Sequence, residues 1–252
     1  MKKILLAAFS FVLLLSSFDA GAQRSRRDWT TTTRDVPAFT KIEVESGIDV
    51  YISDGTPGVT IYTRQNVHDN VEVSVSDGTL YLKHKSNFLS GSDRDIRARV
   101  TTNALTSVKA SEDSDVELQN FTTAGNFSFE GTGGSSIEGT VNCDELFITL
   151  ENDSDAELNV ECNNIIIKSG RDSDIELKGR ADSCTAEVSG GGDLEAYGLS
   201  LRTLSIDFRN GADGEVTVSE SITGSLSSSK LSYRGNPSVD VRRSGNSRLE
   251  AR

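Results

Sequence analysis

Aromatic residues are scarce in this 252-residue chain: they make up 6% of it, with one tryptophan, which argues against a thick aromatic core. Only three prolines occur, whereas 22 glycines suit a chain with many tight corners. The two histidines lie far from the three cysteines, so a zinc site with four clustered ligands is not expected. No apolar run beyond residue 15 approaches the ~20 residues of a membrane-spanning helix.

Basic residues are outnumbered. Lys and Arg total 26 against 38 Asp and Glu, which gives a formal net charge of −12. An acidic surface repels nucleic acid and anionic lipid, so neither is an expected partner. The same surface favours cations and basic partners.

The first 22 residues have the organisation of a signal peptide. Lys2 and Lys3 precede an apolar run from Ile4 to Leu15, and Ala20-Gly21-Ala22 forms a small-x-small cleavage site. The alternative is an uncleaved membrane anchor, but the run is shorter than the ~20 residues that a span needs. We therefore expect residues 1–22 to be a signal peptide, with export to the periplasm or the outer cell surface and no transmembrane segment after cleavage. Residues 23–35 are predicted to be a flexible lead.

A short pattern recurs through the second half of the chain: a small residue, an acidic or polar one, an apolar one, Glu and an apolar one. Its first positions are 21, 19, 19, 19, 20 and 17 residues apart, and the last copy is degenerate. The copies begin at Ser114, Ser135, Ser154, Ser173, Gly192, Ala212 and Ser229. A fixed period of about 19 residues indicates a repeat architecture whose turns stack on one another.

The repeat predicts an all-β fold, a parallel β-helix with turns of about 19 residues. A second strand-like run, such as Ile165-Ile166-Ile167, precedes each copy, and Gly or Asn-Asp corners join the two. Alternation along a strand places the small and apolar positions of the pattern inside, with the acidic position and Glu outside. The β-helical domain is predicted to span residues 36–243, followed by a loose tail over 244–252.

Residues 36–100 repeat less clearly and form a less regular N-terminal β region. Asp77-Gly78 between two alternating runs predicts a β-hairpin. Ser46-Gly47-Ile48-Asp49-Val50 loosely resembles the repeat. The region is therefore either the irregular first turns of the helix or a β cap.

The chain resembles a family of Bacteroidetes exported proteins named "putative auto-transporter adhesin, head GIN domain". The resemblance rests on residues 39–50, FTKIEVESGIDV, on the Asp77-Gly78-Thr79-Leu80 turn, on Leu105-Thr106-Ser107-Val108 and on the Gly- and Ser-rich repeats. It covers residues 36–242. It implies a right-handed β-helix and a cell-envelope location, and it brings no binding residues with it.

The repeat aligns carboxylates in two columns on the outer face. A solvated outer face is the first interpretation, and binding of Ca²⁺ by clustered carboxylates is the alternative. The candidate ligands are Asp115, Glu117, Asp155, Glu157, Asp174, Glu176, Asp193 and Glu195. Paired carboxylates also serve glycoside hydrolysis, but acids that recur at every turn do not single out one catalytic pair. No catalytic residue and no cofactor are therefore predicted, apart from Ca²⁺ as that alternative.

Three smaller groups of residues have two interpretations each. Cys143 and Cys162 are expected on adjacent turns, as buried thiols or as a bridge between turns. Arg94, Arg97 and Arg99 are expected to pair with acids rather than to bind an anion. Tyr51, Tyr62 and Tyr81 are expected to pack at the core or an edge, with an aromatic patch for sugars as the alternative.

The sequence therefore predicts a non-enzymatic interaction module of the cell envelope or surface, possibly adhesin-like. The alternatives are a carbohydrate-active β-helix protein that binds or cleaves polysaccharide, and a calcium-stabilised structural module. The expected partner is a surface protein or a glycan, and self-association into a homo-oligomer is a further expectation from the flat stacked strands.

Overall fold

The strands predicted by the repeat are present and stack in register. The computed structural model describes residues 29–85, 95–122 and 125–252. Its N-terminal strands are β1 Trp29–Arg34, β2 Lys41–Val44, β3 Ile48–Ser53, β4 Gly58–Arg64, β5 Val71–Ser76, β6 Thr79–His84 and β7 Ile96–Thr101, with a 3₁₀ helix at His68–Asn70. The repeat strands are β8 Ser107–Ser111, β9 Asp115–Thr122, β10 Asn126–Thr132, β11 Ser136–Asn142, β12 Glu145–Glu151, β13 Asp155–Gly170, β14 Asp174–Ser189, β15 Asp193–Arg209, β16 Asp213–Ser227, β17 Lys230–Arg234, β18 Ser238–Ser244 and β19 Arg248–Ala251.

Parallel pairing joins these strands into two ladders. We call the ladder that carries the repeated Asp and Glu positions the acidic ladder. It runs from β3 through β9, β11 and the first parts of β13–β16 to β17 and β19. The second ladder runs from β2 through β8, β10, β12 and the second parts of β13–β16 to β18. The predicted parallel β-helix is thereby confirmed as a β-solenoid of about 7 turns, roughly 19 residues apart.

Left-handed residue pairs make the corners between the two ladders. Asn152 and Asp153 both have φ 60°, and Arg171 and Asp172 have φ 57° and 59°. Asn and Asp tolerate this conformation better than most residues, which explains the polar corners of the sequence. A fully buried serine follows each of these corners, Ser154 and Ser173.

The buried serines satisfy backbone groups that the corner leaves open. Ser154 Oγ donates to the Glu151 carbonyl at 3.0 Å, and the Ser154 amide donates to Ser173 Oγ at 3.1 Å. A buried polar group is tolerated only when it is hydrogen-bonded. The small first position of the repeat is therefore an internal column, as predicted, and its serines also hold adjacent turns together.

The N-terminal region is both an irregular turn and a cap. The β5–β6 hairpin is antiparallel, and Asp77 (φ 50°) and Gly78 (φ 74°) form its turn, which confirms the predicted hairpin. The turn made by β2 and β3 lies between β6–β7 on one side and β8–β9 on the other. Beyond β7, strands β4 and β1 extend the acidic ladder by antiparallel pairing. The Ser46–Val50 run joins the ladder two residues out of the predicted alignment, because Val50 pairs with Val116. An even shift leaves its faces unchanged.

Two predicted flexible segments contain strands instead. Residues 29–34 of the predicted lead form β1, which pairs with β4 along six register positions. Alternation in this Thr-rich run places Thr31 and Thr33 on the outer face, and Thr residues favour strands. Residues 248–251 of the predicted tail form β19, whose Leu249 pairs with Leu231. The predicted signal peptide, residues 1–22, lies outside the described residues.

Cys143 directly follows β11 and Cys162 lies in β13, each next to a member of the register pair Asn142 and Glu161. Their thiols are free, as is that of the buried Cys184. A hydrogen bond to Cys143, followed by burial, raises the pKa of Cys162, whereas burial alone raises the pKa of Cys184 to about 12. Within the described ranges, no helix has the length and apolar character to cross a membrane.

Candidate tyrosine–arginine groove

A concave surface lies on the outer face of the acidic ladder at its N-terminal end. We call it the tyrosine–arginine groove, with a volume of about 950 Å³. Its side chains come from six strands: Thr31, Tyr51, Thr60, Tyr62, Arg97, Arg99, Glu117, Gln119 and Glu138, with Leu118 beside them. Binding sites are concave and combine aromatic surface with a few placed polar groups, and this groove, more polar than most, offers both.

Strand register explains how distant segments of the chain meet there. One row aligns Tyr62 with Arg97, and Arg97 with Asp49. The neighbouring row aligns Thr60 with Arg99, Arg99 with Tyr51, and Tyr51 with Glu117. Because alternate residues of a strand share a face, Arg97 and Arg99 point to the same side. Alanine and valine at positions 98 and 100 are fully buried behind them.

Two of the three tyrosines singled out from the sequence meet in the groove. Tyr51 and Tyr62 both line it and are half-buried. The ring of Trp29 lies 4.7 Å from that of Tyr62, tilted by 42°, so β1 supports the Tyr62 ring. Tyr81 lies elsewhere, beside Glu43 and Lys109 on the second ladder. The aromatic patch is therefore formed by Tyr51 and Tyr62 without Tyr81.

The arginines only partly follow the prediction that they pair with acids. Arg97 Nε lies 3.8 Å from Asp49 Oδ2, an ion pair too long for a hydrogen bond. That Nε is buried and has no hydrogen-bond partner. Among the described residues, Arg99 has no carboxylate within ion-pair distance, and Arg94 lies outside the described residues. Its neighbour in the row is Tyr51, which separates Arg99 from Glu117 by two strand spacings, roughly 10 Å.

The two predicted carboxylate columns are formed in register along the rest of the ladder. Glu138 pairs with Glu117 and Glu157, and Glu176 pairs with Glu157 and Glu195. The aspartate column runs through the pairs Asp155–Asp174 and Asp193–Asp213, with Ser136 in place of an acid after Asp115. One end of this ladder enters the groove at Glu117 and Glu138.

Burial and like charges raise the pKa of several of these carboxyl groups. Burial raises the pKa of Glu138, and Glu117 and Glu157 raise it further. Burial also raises the pKa of Asp155, Asp193 and Asp49, in each case with a contribution from neighbouring carboxylates. Each of these shifts has burial as its largest cause and like charge as an additional one, and they occur both inside the groove and outside it.

Local contacts reduce the repulsion within the columns. Lys178 Nζ lies 3.2 Å from Glu157 and 2.6 Å from Glu176, and Asp174 accepts a hydrogen bond from the Asp193 amide at 3.2 Å. Ser136 Oγ donates to Asp115 at 2.6 Å. In the ranges that the structure describes, no three His, Cys, Asp or Glu side chains converge as a metal site. The calcium ligands named above thus remain a prediction.

We expect acidification from about pH 7.5 to about pH 5 to raise the melting temperature. A raised pKa means that the folded chain binds the proton more tightly than the unfolded chain. Such groups stabilise the fold at low pH, and this contribution is lost as the pH rises through their raised pKa values. Asp207 acts in the opposite sense, because its hydrogen bond from Arg209 lowers its pKa, but it titrates below this pH range.

Thermal melts at the two pH values test this expectation, with Glu138→Gln as the matched variant. The variant should melt higher than the parent at the higher pH and lose that advantage on acidification. A melting temperature that falls between pH 7.5 and pH 5 would contradict the electrostatic account.

The comparisons with known proteins agree with this architecture. A crystal structure of a "putative adhesin" from Parabacteroides distasonis ATCC 8503 matches with a TM-score of 0.81 and 20% identity, covering 89% of this chain and 97% of that chain. Another, from Parabacteroides merdae ATCC 43184, has a TM-score of 0.80 and 15% identity over 90% and 97% of the two chains. A third, from Bacteroides fragilis NCTC 9343, has a TM-score of 0.69 and 19% identity over 90% and 98%. At these identities the likeness shows the fold.

No curated protein matches the chain. The sequence does match one protein family over residues 38–237, which is most of its length and includes every strand from β2 to β17. This match confirms the resemblance drawn from residues 39–50 and the repeats. The chain belongs to the family described as "Putative auto-transporter adhesin, head GIN domain".

Proposed function

We propose that the protein is a non-enzymatic adhesion module of the cell envelope that binds a glycan in the tyrosine–arginine groove. One observation carries this proposal: Tyr51, Tyr62, Arg97 and Arg99, from three different strands, line a single cavity. Tyrosine rings present flat apolar faces with a polar hydroxyl, which suits the C–H faces and hydroxyl groups of a sugar. The adhesin family supports a role in binding surface molecules.

The groove suits a bound chain better than a small buried molecule. It is continuous with the outer face of the acidic ladder, so an extended ligand can leave the groove along Glu138 and Glu157. Carboxylates accept hydrogen bonds from sugar hydroxyl groups. Predicted export places such a surface in the periplasm or on the cell exterior, where polysaccharides are the abundant ligands of this kind.

Binding without cleavage is the simpler interpretation of the carboxylates in the groove. Glu117 and Glu138 are register partners on adjacent strands, so they lie close together as the two acids of a glycosidase do. However, the same pairing continues at Glu157 and Glu176 outside the groove. Burial also raises the pKa of Asp155 and Asp193 outside the groove, as it raises that of Glu138. Neither the pairing of two glutamates nor a raised carboxyl pKa is therefore particular to the groove.

A glycan array probed with the purified full chain tests the proposal. We expect reproducible binding to one class of sugar, and Tyr62→Ala should weaken it by about tenfold or more, as loss of a central aromatic anchor does. Tyr81→Ala is the matched control, because it removes a half-buried tyrosine from the second ladder, outside the groove. It should leave binding unchanged.

Two further measurements separate the outcomes. Trp29 contacts the ring of Tyr62, so Trp fluorescence should show that β1 stays in place in Tyr62→Ala. Tyr51→Leu removes a second aromatic ring of the groove, one that does not contact Trp29. Reducing-end release from the bound glycan should be absent. A blank array would contradict glycan binding in the groove, and so would variants Tyr62→Ala and Tyr51→Leu that bind as tightly as the parent. Release of reducing ends would contradict the non-enzymatic assignment.

A further inference from the structure

We propose that the ligand of the tyrosine–arginine groove is a glycan that carries carboxylate groups, which Arg97 and Arg99 bind. This inference rests on the proposed glycan-binding function and specifies the ligand class of the same groove. It follows from the pairing of charges around the two arginines, from their common face and from the tyrosines beside them.

Arg99 lines the groove without a carboxylate within ion-pair distance in the described part of the chain. Several cations of the repeat region are neutralised: Lys109 pairs with Glu130, Arg202 with Glu220 and Arg209 with Asp207, and Lys178 bridges two glutamates. Others, such as Arg180, have no ion pair among the described residues. The position of Arg99 beside Tyr51 in the groove is therefore what marks its open donors as a ligand contact.

The register neighbours of Arg99 on both sides are uncharged. In the register row, Tyr51 occupies the position between Arg99 and Glu117, where an acid would neutralise the guanidinium. On the other side, Thr60 is the neighbour of Arg99 and is uncharged. The row therefore places an aromatic ring directly beside an open cation, an arrangement that suits an anionic ring such as a sugar acid.

Arg97 contributes a second set of donors on the same face. Its contact with Asp49 is 3.8 Å long, and its buried Nε has no hydrogen-bond partner. The side chain as a whole is 39% exposed, and a carboxylate is the acceptor that a guanidinium fork binds best. Arg97 and Arg99 are two residues apart in an extended strand, so their side chains emerge about 7 Å apart. Tyr62 lies beside Arg97 in its row.

The carboxylates at the opposite end of the groove set the direction of the ligand. Glu117 and Glu138 repel an anionic group and accept hydrogen bonds from hydroxyls. A sugar acid is thus oriented with its carboxylate at Arg97 and Arg99 and its hydroxyl-bearing edge toward the glutamates. A neutral glycan can accept hydrogen bonds from the guanidinium groups through its hydroxyls, but it lacks the stronger charge-assisted pairing that a carboxylate makes.

Matched pairs of probes test the inference with the full chain. Pentagalacturonate and its fully methyl-esterified form share one sugar backbone and differ in whether each carboxylate is free or esterified, and sialyllactose and lactose differ in one sialic acid. We expect calorimetric titration to show about tenfold or more tighter binding of at least one acidic probe than of its neutral counterpart. Arg99→Gln should abolish this preference. Arg180→Gln, an exposed arginine of β14 outside the groove, is the control for charge alone and should preserve it.

The outcomes distinguish the inference from the function on which it rests. Binding of the neutral probes with equal or higher affinity would overturn the carboxylate assignment while leaving glycan binding intact. Persistence of the acidic preference in Arg99→Gln, with the melting temperature unchanged, would also overturn it. Failure of every glycan on the array to bind would remove the proposed function itself.

Discussion

Gly224→Ala is expected to lower the free energy of unfolding by about 3–5 kcal/mol. Gly224 has φ +122°, a conformation that residues with a Cβ rarely adopt. A Cβ built at this position would overlap the carbonyl oxygen of Ile206 on the adjacent turn, well inside van der Waals contact. Because that oxygen belongs to the backbone of a parallel ladder, it cannot move without breaking the pairing of β15 with β16.

The damage should be confined to the C-terminal turns. Turns of a solenoid contact only their neighbours, so a lesion in β16 disturbs β15 and β18 before it reaches the N-terminal cap. The single tryptophan, Trp29, lies in β1 and reports on that cap. We therefore expect urea unfolding followed by far-UV circular dichroism to shift more than unfolding followed by Trp fluorescence.

Gly170→Ala is the matched control for this substitution. Gly170 has no left-handed φ, and its nearest atom to a built Cβ is the hydroxyl oxygen of Ser189 at 3.4 Å. Its substitution should change the unfolding free energy by less than about 1 kcal/mol. Equal stability of the Gly224 and Gly170 variants would contradict the steric argument.

The repeat pattern predicted the ladders because each of its two periods, the alternation along a strand and the spacing between turns, has a physical cause. The alternation of Ser114 through Leu118 fixes which side chains face inward, and the spacing of about 19 residues fixes which of them stack. Both constraints are local to the sequence. The columns through Glu117, Glu138 and Glu157 could therefore be aligned without a structure, and the register agrees.

The groove could not be predicted in the same way, because it depends on the order in which strands are placed. The turn of β2 and β3 lies between β6–β7 and β8–β9, although it precedes both in the chain. This placement sets Arg99 beside Tyr51, although 47 residues separate them in the sequence. The alternation of Ile96, Ala98 and Val100 is a local signal that both arginines share an outer face. It carried no information on the strand that lies next to them.

Two glycines occupy interior positions, where an apolar side chain is expected. Gly214 occupies the third position of its copy, where Ile175 and Leu194 stand in earlier turns. A Cβ on Gly214 would lie 2.5 Å from Cε2 of Phe208. The ring of Phe208, fully buried, therefore fills the volume that the missing side chain leaves. A Cβ on Gly131 would likewise lie against the side chains of Phe129 and Leu150.

Because the Phe208 ring fills the space left by the missing side chain of Gly214, we expect the second large effect at Phe208. Phe208→Ala is expected to cost about 3–5 kcal/mol, as truncation of a buried aromatic ring does. Gly214→Ala alone should cost about 1–3 kcal/mol, because the added methyl group meets the ring in a packed interior. In the Phe208→Ala background the same methyl group loses its nearest neighbour, and the flexible end of Leu231, with Cδ1 at 2.9 Å, is the next contact. Gly214→Ala should therefore become close to neutral there.

A double-mutant cycle measured by urea unfolding tests this coupling, which should amount to about 1–3 kcal/mol. Phe129→Ala combined with Gly214→Ala is the control cycle, because Phe129 lies in β10, several turns away, and its coupling to Gly214 should be close to zero. Additive effects at Phe208 and Gly214 would mean that the glycine is retained for backbone reasons instead. A measured coupling would show that this solenoid is specified by pairs of positions on adjacent strands, so that a glycine in one copy of the repeat is compensated by an aromatic ring in its neighbour.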